Sequence, residues 1–105
     1  MRRAIYATAA AVAISGAVQV SAQDIEAGED LYRDGCRQCH GPTARGMASF
    51  PRLTGQTAEY LVLRLEQYRA GEKVGPNSAL MMPVASDLSD GDIANIAAFI
   101  AGSLN

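Results

Sequence analysis

The sequence predicts an all-α domain, and three observations support that class. Apolar residues recur at steps of three and four in three separate segments, which is the spacing of one buried helix face. Between those segments, glycine and proline are dense enough to prevent regular structure. No segment alternates apolar and polar residues as a half-buried strand does. We therefore expect three main helices joined by long loops.

The first helix is expected to run from Asp24 to Cys39. Carboxylates occupy its early turns, where they suit the positive end of the helix dipole. Its buried face is expected to consist of residues at helical spacing: Ile25, Gly28, Leu31 and Tyr32. The segment from Gly41 to Gln56 follows, and its glycines and prolines predict an irregular loop.

The second helix is expected to begin after Thr57, a residue type that caps helix N-termini, and to stop at Gly71. Its apolar positions follow the i, i+4, i+7 spacing: Leu61, Leu65 and Tyr68. Another loop is expected from Glu72 to Asp87, because this segment contains Gly75, Pro76 and Pro83.

The last helix is expected to begin at a capping box, in which Ser89 and Asp92 each accept a backbone N–H of the other. Gly102 is expected to end it. Its buried face is predicted to contain four residues at helical spacing: Ile93, Ile96, Ala97 and Ile100.

The amino terminus has the composition of an export signal. Arg2 and Arg3 precede an apolar stretch over residues 4–20, and the small residues Ser21 and Ala22 follow it. This order predicts a secretory signal peptide over residues 1–22, which is removed on export to the periplasm. A membrane anchor is the alternative, but the stretch contains polar residues and is barely long enough to cross a bilayer.

The mature domain would then be residues 23–105, with no stable membrane insertion. The whole chain has 9 Lys+Arg and 11 Asp+Glu, and the signal peptide contains two of the basic residues. The mature charge is therefore −4, a balance that argues against a nucleic-acid-binding protein, which needs a dense positive surface. A domain this short is marginally stable unless a disulfide, metal or cofactor reinforces its core.

The chemistry is concentrated in Cys36-Arg37-Gln38-Cys39-His40. Two cysteines three residues apart on a helical turn project from one face, so each can bond one vinyl group of a porphyrin. The adjacent histidine then coordinates the iron. This pattern is the attachment signature of c-type haem, and it predicts one covalently attached haem c per chain.

The two cysteines have three alternative interpretations: a redox pair, a structural disulfide and part of a zinc site. A thioredoxin-like redox pair follows a strand, and no strand pattern precedes Cys36. A structural disulfide between Cys36 and Cys39 would close a tight ring and add little stability. A zinc site would need more ligands, and the chain has no other cysteine and no other histidine.

With these residues in place, the mature chain resembles the class I cytochromes c, especially the small single-haem bacterial ones. The similarity extends beyond the attachment motif to Gly28 with Tyr32, to residues 51–56, and to residues 88–93. It implies a cytochrome c fold around one haem and a role in electron transfer. It also implies that the Pro51 carbonyl accepts the ring N–H of His40; the alternative is that Pro51 only breaks the loop. The aromatic residues are expected to pack in the core, and against the haem: Phe50, Tyr60, Tyr68 and Phe99.

Four side chains could supply the sixth ligand of the iron: Met47, Lys73, Met81 and Met82. Met47 lies close after His40, on the same side of the ring. Met81 and Met82 are adjacent, so in an extended loop they point in opposite directions and only one can be the ligand. By the resemblance, the ligand lies seven residues before Leu88, which favours Met81. A Met-Pro pair is also common at the ligand and keeps Met82 as the alternative.

These features predict a periplasmic one-electron carrier with His/Met ligation rather than an enzyme. Its partners would be redox proteins, either a periplasmic dehydrogenase or membrane respiratory complexes, and the chain would be a monomer or a small subunit. The alternatives are a cytochrome subunit of a flavoprotein or other dehydrogenase, and an open-site haem peroxidase or gas sensor. Arg52 and Arg64 are candidates for pairing with haem propionates. The mature charge of −4 and the scattered arginines predict docking through an apolar patch around the exposed haem edge, with only modest electrostatic steering.

Overall fold

The computed structural model describes residues 24–105, so the predicted signal peptide lies outside the described residues. The described chain confirms the all-α class. It contains five helices: α1 (Ile25–Gly35), α2 (Arg37–His40), α3 (Ala58–Arg69), α4 (Ser78–Ser86) and α5 (Asp90–Ser103). Outside the helices, the described residues contain one isolated bridge, between Met47 and Phe50. No helix in residues 24–105 is both long and apolar enough to span a bilayer.

Helices α1 and α5 cross and pack against each other, and we call this helix pair the frame. A Cβ atom at Gly28 would lie 2.0 Å from the backbone oxygen of Asn95, so only glycine permits this close approach. Tyr32 and Phe99 pack nearby with ring centroids 5.7 Å apart. The core around this crossing consists of buried apolar side chains, including Tyr32, Leu61, Leu65, Ile93, Ile96, Ala97, Phe99 and Ile100.

The predicted caps of α3 and α5 are confirmed. Thr57 Oγ1 accepts the backbone N–H of Tyr60 at 3.1 Å. Ser89 Oγ accepts the N–H of Asp92 at 3.0 Å, and the Asp92 carboxylate accepts the N–H of Ser89 at 3.0 Å. The predicted end of α5 is wrong by one residue, because the helix continues through Gly102 to Ser103.

The first predicted helix is interrupted, so its single span from Asp24 to Cys39 is wrong. α1 ends at Gly35, and Cys36 takes a backbone conformation with φ −119° before α2 begins. The turn is closed because the Cys36 N–H donates to the carbonyl of Tyr32 at 2.9 Å. The break therefore separates α1 from the short helix that carries Cys39 and His40.

The predicted loop from Glu72 to Asp87 is also wrong, because it contains α4. Pro83 lies inside this helix and removes one backbone donor, a cost that the packing of α4 against α3 offsets. The density of glycine and proline in this segment therefore predicts too little helix, because tertiary packing and not local propensity stabilises α4.

Candidate haem-binding site

A cavity of about 350 Å³ opens on one side of the frame. Four parts of the chain surround it: residues 36–54, which we call the attachment segment, and helices α3, α4 and α5. The lining is predominantly apolar, as is usual for a cofactor pocket. It includes Cys36, Cys39, His40, Phe50, Pro51, Leu53, Tyr60, Arg64, Leu65, Tyr68, Ser78, Leu80, Met81, Val84, Ile96 and Ile100.

His40 is a buried polar side chain in the cavity wall, and a hydrogen bond holds its ring. It is 5% exposed, and its Nδ1 lies 2.8 Å from the carbonyl oxygen of Pro51. A carbonyl can only accept a hydrogen bond, so Nδ1 carries the proton and Nε2 keeps its lone pair. The imidazole is therefore held in the tautomer and orientation that metal coordination by Nε2 requires.

Hydrogen bonds fold the attachment segment against itself. Gly46 donates its N–H to the carbonyl of His40 at 2.8 Å, and Leu53 donates to the carbonyl of Ala44 at 2.8 Å. The buried hydroxyl of Tyr32 donates to the carbonyl of Gly41 and ties this segment to α1. Burial raises the pKa of Tyr32 to about 12, because the phenolate would lose its hydration. The loop that carries His40 is thus held by hydrogen bonds within the attachment segment and by one bond to α1.

The two cysteines are free thiols at the edge of the cavity. Cys36 is partly buried, whereas Cys39 is exposed. Burial, and to a smaller extent the neighbouring Cys39, raise the pKa of the Cys36 thiol to about 11. Both sulfurs line the same opening, on the side of the cavity where His40 lies.

Helix α4 contributes another part of the cavity lining, and it separates the two candidate methionines. Met81 lines the cavity and packs against the core, whereas the cavity lining does not include Met82. On a helix, adjacent side chains are about 100° apart, so only one of the pair faces the cavity. Of the other candidates, Met47 is 47% exposed, and neither Met47 nor Lys73 lines the cavity.

Two side chains anchor the segment of residues 70–88, which we call the distal segment. Ser78 is 3% exposed, and its Oγ accepts the N–H groups of Val74 and Gly75, each at 2.9 Å. Arg69 donates to the carbonyl of Leu88 at 3.1 Å and to the carboxylate of Asp90 at 2.6 Å. Sequence reasoning missed Ser78, because a serine among loop residues carries no distinctive pattern.

The predicted aromatic residues divide between core and cavity. Phe99 is buried in the core, whereas Phe50, Tyr60 and Tyr68 line the cavity, and Tyr60 is 39% exposed. Arg64 also lines the cavity, where its Nε donates to the Tyr60 hydroxyl at 3.1 Å, a bond that raises the pKa of Arg64. Arg52 does not line the cavity and donates instead to the Thr54 hydroxyl. The structure thus favours Arg64 over Arg52 as the cation nearer a bound group.

These residues fit the haem c that the sequence predicts. The cavity lining contains two cysteines, a histidine whose Nδ1 is held by a carbonyl, and a methionine on α4, all within an apolar enclosure. Imidazole and thioether are the axial donors of electron-transferring c-type haem. When bound, the haem supplies an iron centre that gains and loses one electron.

Comparisons with known proteins identify the family of the chain. Residues 25–103 match the family model described as Cytochrome c. The chain is 49% identical over 79 residues to cytochrome c-554(548) of Halomonas halodenitrificans, covering 74% of this chain and 94% of that protein. It is 39% identical over 67 residues to a thiosulfate dehydrogenase electron acceptor of Stutzerimonas stutzeri, covering 63% of this chain and 31% of that protein.

A solved structure is similar over most of the described residues. Reduced recombinant cytochrome c4 from Pseudomonas stutzeri aligns with a TM-score of 0.69 and 34% sequence identity. The alignment covers 74% of this chain and 47% of that chain, so this chain spans about half of the cytochrome c4 structure.

Proposed function

The chain belongs to the cytochrome c family, and we propose that it is a periplasmic one-electron carrier whose haem iron is ligated by His40 and Met81. Membership of the family makes it an electron-transfer protein with one covalently bound haem c. The proposal adds the attachment and ligand residues, the compartment and the kind of partner. The observation that carries it is the pairing of a preoriented His40 with Met81 across one cavity.

We assign the covalent attachment to Cys36 and Cys39. They are the only cysteines of the chain, they lie at the cavity edge, and His40 follows directly. The Pro51 carbonyl orients His40 and increases its basicity by accepting the Nδ1 proton. Tyr60 and Tyr68 contribute to the cavity wall, where they help to exclude water and so influence the reduction potential.

Met81 is favoured over Met82 by its position on α4. Met81 lines the same cavity as His40, whereas Met82 is not part of the lining. Thioether ligation raises the reduction potential of a haem and leaves no open coordination position. Both properties suit a carrier, whereas a peroxidase or gas sensor would need an open position.

The compartment and partners follow from the amino terminus and from the relatives. Residues 1–22 have the pattern of a secretory signal peptide, which supports export to the periplasm. One relative is itself described as a thiosulfate dehydrogenase electron acceptor, which supports a periplasmic dehydrogenase as donor. Membrane respiratory complexes are the proposed acceptors. A stable subunit of such a dehydrogenase remains a variant of the same role.

The ligand assignment is tested by replacing the two methionines separately in the holoprotein. Met81→Ala should abolish the sulfur-to-iron charge-transfer band of the oxidised protein and let the reduced protein bind carbon monoxide. Met82→Ala is the matched control and should retain the band and exclude carbon monoxide. The opposite result would move the ligand to Met82, and carbon monoxide binding by the unmodified protein would favour the open-site alternative.

A further inference from the structure

One region of this acidic chain contains basic residues but no acidic ones. Residues 35–58 contain Arg37, Arg45 and Arg52 and no aspartate or glutamate. The remainder of residues 24–105 contains four basic and eleven acidic residues. The sequence therefore contains a positive block within a negative domain, a signal that the net charge of −4 conceals.

The backbone at these three arginines lies within one folded segment. A Cβ atom at Gly46 would lie 2.9 Å from the backbone nitrogen of Arg52, so the chain after Arg45 runs directly against Arg52. Gly41 donates its N–H to the carbonyl of Arg37 at 2.9 Å, which joins Arg37 to the same loop. All three arginines are exposed, so their charges face solvent on the attachment segment.

The charges of these arginines are not neutralised within the described residues. The ion pairs found there involve only Arg33, with Glu29 and Asp30, and Arg69, with Asp90. Asp34 precedes the arginine block and is the acidic residue closest to it in sequence, but it forms no ion pair with Arg37. The surface of Arg37, Arg45 and Arg52, which we call the arginine surface, therefore keeps its charge.

The arginine surface borders the opening of the cavity. Arg37 lies between Cys36 and Cys39, and Arg52 follows Pro51, and these three neighbours all line the cavity. Electron transfer requires close approach to the haem, so a partner that approaches here meets positive charge first. Local charge at the contact, and not the net charge of the protein, determines electrostatic steering over distances of about one Debye length, roughly 10 Å.

We infer that the arginine surface is the docking surface for electron exchange, and that its partner is a redox protein with an acidic face. This inference rests on the proposed function and adds the chemistry of the partner. Three arginines are too few for the dense phosphate contacts of a nucleic acid. Arg37 begins the four-residue helix α2, and Arg45 and Arg52 lie on a folded loop. No amphipathic helix within residues 24–105 presents these charges, which disfavours an anionic membrane as the partner.

Small redox probes of opposite charge test the sign of the local field on the holoprotein. We expect reduction by the anionic iron–EDTA complex to slow by about threefold as ionic strength rises from low to physiological values. Reduction by the cationic hexaammineruthenium(II) complex should accelerate over the same range. A surface governed by the net charge of −4 would give both dependences the opposite sign, and that result would overturn the inference.

Charge-neutralising variants locate the effect. Arg45→Gln should lower the rate with the anionic probe by about twofold at low salt, because one of three local charges is lost. Arg33→Gln is the matched control, since this arginine is exposed on α1 and already paired with carboxylates. Equal effects of the two variants would overturn the assignment to the arginine surface. Arg52→Gln provides a second variant on that surface if Arg45→Gln disturbs haem incorporation.

The class of partner is tested by two binding measurements. A soluble acidic protein surface is represented by poly-glutamate, which should inhibit reduction by the anionic probe in the wild type and do so less in Arg45→Gln. Sedimentation with phosphatidylglycerol vesicles tests the membrane alternative, and binding to vesicles that Arg45→Gln weakens would overturn the protein partner. None of these results depends on the methionine spectra, so a failure here is distinct from a failure of the ligand assignment.

Discussion

The two walls of the cavity differ in how firmly the fold holds them. The attachment segment is tied to α1 through Tyr32, fixed to itself by backbone hydrogen bonds, and completed by the bond between His40 and Pro51. The distal segment carries α4, whose main helical neighbour is α3, and its residue Leu80 is 59% exposed. Its anchors are the hydroxyl of Ser78 and the contacts of Arg69.

This difference assigns distinct roles to the two proposed ligands. His40 is preoriented by its surroundings, so its bond to iron costs little ordering of the protein. Met81 lies on a short helix that contains a proline and packs mainly against α3. We call the distal segment the methionine side and the attachment segment the histidine side. The methionine side should therefore open at a lower temperature, denaturant concentration or concentration of competing ligand than the histidine side.

The largest expected effect comes from overpacking the α1–α5 frame that supports the histidine side. Gly28→Ala places a methyl group 2.0 Å from the Asn95 carbonyl oxygen, so the helices must separate. We expect the free energy of unfolding of the holoprotein to fall by about 3 kcal/mol. Gly35→Ala is the control, because a Cβ atom there meets nothing within 4 Å. Equal stability of the two variants in denaturant titrations would show that the crossing tolerates a side chain.

A smaller effect is expected from loosening the methionine side. Ser78→Ala leaves the N–H groups of Val74 and Gly75 without their acceptor, so α4 should detach more readily. Imidazole competes with the methionine for ferric iron, and its apparent affinity should rise about tenfold, or ~1.4 kcal/mol. Ser86→Ala is the matched control on the same helix, since its exposed hydroxyl donates to Pro83.

Ser78→Thr keeps the hydroxyl and should restore an imidazole affinity close to that of the wild type. If Ser78→Ala lowers the free energy of unfolding but leaves imidazole affinity unchanged, Ser78 stabilises the fold without acting on the proposed ligand. That outcome would contradict the claim that the contacts of Ser78 determine how firmly the distal segment holds the proposed ligand.

The smallest expected effect concerns Tyr32 and pH. Burial raises its pKa from the ordinary value of 10.0 to about 12, so the folded protein holds the phenol proton more tightly than the unfolded chain. The stabilisation is complete below pH 10 and is lost as pH rises through about 12. Tyr32→Phe should lose about 1 kcal/mol at neutral pH and show a flatter decline between pH 10 and 12. Parallel declines in the two proteins would contradict this role of Tyr32.

The sequence predicted the histidine side better than the methionine side, and the reason is physical. Cys36, Cys39 and His40 form a contiguous motif whose chemistry depends on spacing, and the caps at Thr57 and Ser89 are local interactions. The location of α4 and the role of Ser78 depend on packing against α3 and on bonds to the incoming loop, which local patterns do not encode. The break at Cys36 was missed because periodicity continues across it.

The arginine surface is an intermediate case. Its charge pattern is visible in the sequence as a stretch without acidic residues, but the scattered positions suggested only weak steering. The close approach of Gly46 to the backbone of Arg52 brings the charges together, and this contact depends on the folded loop.

A urea titration of the oxidised holoprotein tests the difference between the two walls most directly. The sulfur-to-iron charge-transfer band reports the methionine side, and far-ultraviolet circular dichroism reports the helical frame. We predict that the band disappears at a lower urea concentration than the helical signal, because the distal segment opens before the frame unfolds. Coincident transitions would show that both walls are held in one cooperative unit, and would contradict the account.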